Sequence, residues 1–187
     1  LTSAGRFEES EEIHRRVVSE LESRHQASHP LLLAARANLA TLLDARGAHQ
    51  EAVVLHRTVL DHYLKTRPGD DRDIQATRVN FAISLRSIGE MKAATELLRD
   101  ALDSLERSFS SDHIDVGVAR QHLAWNHFVG GKKKEARELT RIYGDGVRKR
   151  LGNSRGFSAS SEIADIDRAT ALALSLIHIS EPTRPQC

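Results

Sequence analysis

The sequence predicts an all-α protein: a right-handed solenoid of stacked antiparallel helix pairs, with about three full repeats and a partial one at the N-terminus. Three observations predict it. Gly5, Gly47, Gly89 and Gly131 stand 42 residues apart, and matched small and aliphatic columns follow each of them. The apolar residues are mostly Ala and Leu, with aromatics at 4%, which suits helices packed closely through small side chains. No stretch shows the alternation of a half-buried strand.

The columns set the elements in order. Five residues after each glycine come Ser10, Ala52, Ala94 and Ala136, and three further on come Ile13, Leu55, Leu97 and Leu139. Upstream, Arg36, Arg78 and Arg120 match, then Leu39, Phe81 and Leu123, then Ala40, Ala82 and Ala124. A partial repeat covers 1–28, with a helix at 6–24. Full repeats cover 29–70, 71–112 and 113–150. Their first helices are expected over 30–46, 73–88 and 115–129, each ended by its glycine, which takes the left-handed conformation without a Cβ clash. Leu32, Ala35, Leu39 and Leu43 recur at helical spacing and form the buried stripe of the first of these. Second helices are expected over 48–66, 90–108 and 132–150, with Ala52, Leu55, Val59 and Tyr63 as the buried stripe of the first. "RPGDD" and "SSDH" break the chain between units.

Both ends depart from the pattern. Leu1 falls in register with Leu43 and Leu85, so the chain is expected to begin inside a repeat and to be a fragment of a longer protein, with apolar faces at its ends that can drive self-association. Residues 151–173 read as a linker, "GNSRGFSAS", followed by a degenerate helix capped by Ser160 or Ser161. "LSLIHISEPTR", residues 174–184, matches no column and resembles a translated sequencing-adapter sequence, so 174–187 is read as a non-native tail.

Composition excludes several functions. A net charge of +1 among 187 residues gives no reason to expect nucleic acid or an acidic membrane as partner. No apolar run approaches the roughly 20 residues of a membrane span. Cys187 is the one cysteine, which rules out an internal disulfide framework and points to a reducing, cytoplasmic setting. His25 and His29 are four apart, but His29 falls in the loop between units and no cysteine or carboxylate completes a set, so no metal and no cofactor are expected. "GGKKKEAR" opens a helix, yet Gly131 already serves as a helix stop and the lysines suit solvated surface. No P-loop or nucleophile–base pair is present, so the chain is not expected to be an enzyme. The arginine column lies about 60° from the buried Leu39 column, at 100° per residue, and is expected to bridge helices through ion pairs.

"HPLLLAARANLATLLDARGAHQEAVVLHRTVL" runs His-Pro, Asn-Leu-Ala, Gly, Glu-Ala, Leu-x-Arg. This resembles the tetratricopeptide repeat, in the 42-residue variety named after kinesin light chain, over about residues 4–150. The resemblance implies a curved array whose first helices line a concave groove. Opposite the buried stripe the helical wheel places Asn38 and Thr41 in the first full unit, Val79, Asn80 and Ile83 in the second, and Gln121, His122 and Trp125 in the third. The resembled family places groove asparagines at Asn38 and Asn80, which implies a grip on a peptide backbone by paired donor and acceptor. Ile83 and Trp125 would offer apolar contact. The expected function is a non-catalytic scaffold for a protein or peptide ligand. The alternative, drawn from the same resemblance, is a sensor or oligomerisation segment of a larger signalling ATPase of the NB-ARC/STAND type.

Overall fold

The computed structural model describes residues 3–152, and over that range it is all-α: α1 (Ser3–Arg24), α2 (Pro30–Arg46), α3 (His49–Thr66), α4 (Arg72–Ser87), α5 (Met91–Ser108), α6 (Ile114–Val129) and α7 (Lys133–Gly152). The expected linker, degenerate helix and adapter-like tail lie outside the described residues, apart from 151 and 152, which close α7.

Short glycine turns make hairpins of α2 with α3 and of α6 with α7. Gly47, Gly89 and Gly131 have φ of 88°, 89° and 77°. The same bonds close each turn: Ala48 N–H donates to Leu43 O, Glu90 to Leu85 O and Lys132 to His127 O, at 2.8, 2.9 and 2.8 Å. These carbonyls would otherwise lack partners at the helix end. Nothing lies within 4 Å of a Cβ built on any of the three, so glycine is needed for its backbone conformation and not for space. Gly5, in register with them, lies instead within α1.

The chain divides into two compact units, 1–101 and 102–187, with the boundary inside α5. In the first, α2 packs against α1 and α3, and α4 packs against α3 and, more lightly, α2. Val18, Leu32, Leu39, Ala40, Leu43 and Ala52 form one core cluster, flanked by Leu21, Ala35, Ala48 and Leu55. Val59 and Tyr63 continue it as buried residues along α3. In the second unit the α6–α7 hairpin buries Val116, Ala119, Leu123, Ala136 and Val147. Gly117 lets α7 come close, since a Cβ there would sit 3.1 Å from the Tyr143 ring.

Candidate peptide-binding surface

At 100° per residue, the buried positions of α2, from Leu39 round to Leu33, span roughly 120° of the wheel. Asn38 and Thr41 stand on the opposite side and are exposed, with Ala34 and Ala45 beside them. The Thr41 hydroxyl donates back to Ala37 O at 3.1 Å, whereas Asn38 is exposed.

In α4 the buried arc widens to roughly 220°, from Ser84 round to Val79. Val79 is 6% exposed and does not face a groove, contrary to the wheel expectation. The wheel allows one buried side, but the buried arc of α4 is far wider than that of α2 and takes in the Val79 flank. Asn80 and Ile83 are half-buried, between exposed Ala76 and Ser87.

The outer face of α6 has a different character. Gln121 and Trp125 are exposed and His122 is half-buried. Trp125 is 51% exposed and Val129 52%, with Ile114 and Val118 on the same side of the helix. The Trp125 ring lies 5.5 Å from that of Phe128, which orients the indole without covering it.

The arginine column pairs with neighbouring helices, as expected. Arg36 of α2 reaches Glu22 of α1 at 2.9 Å. Arg120 of α6 reaches Glu106 of α5 at 2.7 Å and also donates to Ser111 O at 2.7 Å. Both carboxylates precede their arginine by 14 residues. The middle unit has Leu64 at that position, so Arg78 turns to Gln75 Oε1 at 2.9 Å and to Asp100 at 4.0 Å.

Pattern reading did not find one buried polar cluster. Asp44 of α2 accepts a hydrogen bond from the Ser84 hydroxyl of α4, and its other oxygen lies 3.0 Å from His49 Nδ1 of α3. The fully buried His56 ring stands 3.6 Å from Asp44, an ion-pair distance and not a hydrogen bond. Burial pushes the Asp44 carboxyl up, but His56, Ser84 and His49 outweigh it and hold it below the ordinary carboxylate value. The signal in the sequence was a break in the period: Asp44 stands where later repeats have Arg86 and Phe128. A second network joins α1, α2 and α3. Arg15 forms a fork with Glu51 at 2.7 Å through both nitrogens and also reaches Glu11, which in turn pairs with Arg46 at 2.8 Å. The hydrogen bond to Arg15 holds the Glu51 carboxyl below its usual value.

His25 and His29 do not form a ligand pair on one helix face. Their rings stack at 3.8 Å across the turn between α1 and α2. No group of three or more potential metal ligands comes together among the described residues, and no described helix is long and apolar enough to cross a membrane.

A family model for the tetratricopeptide repeat matches residues 32–65 and 75–115, the spans of α2–α3 and of α4–α5 with the turn that follows. No curated protein matches the chain. Two solved structures of a Podosopora anserina protein, described as a kinesin light chain with nearly identical TPR-like repeats, are similar to it. They are 20% and 21% identical, with TM-scores of 0.71 and 0.72 over 97% and 95% of this chain and 91% of theirs. BtubC (BKLC) from P. vanneervenii is 14% identical, with a TM-score of 0.69 over 98% of this chain and 79% of its own. Likeness at these identities is a likeness of fold. Together with the matched repeats and the 42-residue period, it shows tetratricopeptide repeats over residues 32–65 and 75–115 and an all-α fold like that of these kinesin-light-chain-like repeat structures.

Proposed function

We propose that the chain is a non-catalytic scaffold that binds a protein or peptide through the outer faces of its first helices, in a cytoplasmic setting. The observation that carries this reading is Trp125, a large aromatic half exposed on the side of α6 turned away from the buried arc. A residue with no packing role there has a reason to be apolar if a ligand covers it. Val118 and Val129 extend the apolar face, and Gln121 and His122 border it with polar groups. In the first unit the contact face is Asn38 and Thr41 of α2 with Asn80 and Ile83 of α4. The asparagine amides suit an extended backbone, each offering a donor and an acceptor. These faces carry no Asp, Glu, Lys or Arg, so recognition through them depends weakly on salt.

The test is peptide-library selection on the whole chain, followed by affinity measurement with Trp125→Ala and Asn80→Ala. The expected loss is about tenfold or more for Trp125→Ala, the size of an aromatic hot spot. Unchanged affinity in both variants would remove these faces from consideration.

A further inference from the structure

Each first helix starts at the same column, and the cap residue is tied to the residue four before it in three different ways. Before α4, Asp71 accepts from Asp73 N–H at 2.8 Å and is held by Arg67 at 3.3 Å. Before α6, His113 Nδ1 accepts from Asp115 N–H at 3.2 Å, and its ring stacks on Phe109 at 4.2 Å. Before α2, His29 Nδ1 accepts from Leu31 N–H at 3.3 Å, and its ring stacks on a second imidazole, His25.

The third arrangement responds to protons differently from the carboxylate cap before α4. A ring nitrogen that accepts an N–H must carry a free lone pair, so His29 caps α2 only while Nδ1 is unprotonated. A proton there turns an acceptor into a donor facing another donor, and adds positive charge at the positive end of the helix dipole. The first turn of α2 contains no acid. His113, by contrast, has Asp115 at 3.9 Å and an aromatic face to receive a charged ring. Around the His25–His29 pair the charged groups are already engaged: Glu22 of α1 by Arg36 of α2, and Arg24 by Glu20 at 2.7 Å. Neither ring makes an ion pair among the described residues. Two protons on the pair would set like charges 3.8 Å apart.

We propose that the stacked His25–His29 pair is a proton-sensitive clip on the start of α2, releasing that helix end in mild acid while the start of α4 holds. The neutral ring is the capping form, so the clip opens as pH falls.

The test is amide exchange on the whole chain at pH 7.5 and 5.5, corrected for intrinsic rates. Protection at 31–33 is expected to fall roughly fivefold relative to 73–75, the worth of one cap. His29→Asp, an acceptor down to about pH 4, is expected to abolish the fall. His25→Phe, which rebuilds the ring pair found before α6, is expected to lessen it. An equal change at 31–33 and 73–75, or a fall that persists in His29→Asp, overturns the proposal. A fall undiminished in His25→Phe overturns the role of the stack.

Discussion

Helices α2 and α6 hold the same place in the repeat and share the same inward columns. Leu39 matches Leu123, Ala40 matches Ala124, and Arg36 and Arg120 each reach a glutamate 14 residues earlier. Their outward columns have nothing in common. α2 presents Ala34, Asn38, Thr41 and Ala45, whereas α6 presents Val118, Gln121, Trp125 and Val129. The inward positions are constrained by close packing, where even one methylene is felt. The outward positions are free of that constraint and differ from one repeat to the other.

Five measurements test how far α2 and α6 are equivalent. The largest effect is expected inside. Leu43→Ala in α2 and Leu123→Ala in α6 should each cost about 3 kcal/mol in denaturant unfolding. A cost below about 1 kcal/mol for either would break the equivalence of the two buried arcs. Gly47→Ala and Gly131→Ala should cost about 1–2 kcal/mol each, from the positive φ alone, because the space around both is open. Glu106→Gln should cost more than Glu22→Gln, about 1–2 kcal/mol against less than 1, because the Arg120 side chain is 6% exposed and Arg36 15%. Equal costs would mean that burial does not set the worth of these pairs.

A fourth measurement concerns pH. The fold holds Asp44's carboxyl below its ordinary value, so the ionised form is the one folding favours. Its contribution is present above that value and is lost as pH falls through it, below about 4. Asp44→Asn should flatten the acid limb of the stability profile, and an unchanged limb would assign acid sensitivity elsewhere. The smallest effect is on the outward faces: Trp125→Ala and Asn38→Ala should each shift stability by no more than about 0.5 kcal/mol. A larger loss from Trp125→Ala would make it a packing residue and weaken the binding proposal.

Much of the fold was legible because a repeat prints its packing columns several times over. The glycine turns, the helix spans to within a few residues, and the Leu32, Leu39 and Leu43 stripe all follow from the period. The candidate face was legible only in part. A wheel drawn for one helix separates buried from exposed, and it placed Asn38, Thr41, Gln121 and Trp125 on the open side, where they are found. It placed Val79 there too, and Val79 is buried because the covered arc of α4 is far wider than that of α2.

Departures from the period carried information that no pattern could translate. Asp44 breaks its column, but only the folded chain brings it to His49, His56 and Ser84, since those groups come from two other helices at separations the repeat does not dictate. Leu64 interrupts the glutamate column, and only the structure shows Arg78 turning to Gln75 and Asp100. By itself the sequence determined where helices start, stop and turn inward, because backbone conformation and burial act on each residue at short range. Which side chains meet across helices was decided by the tertiary structure, because a charge or a ring takes whatever partner three-dimensional packing leaves within reach.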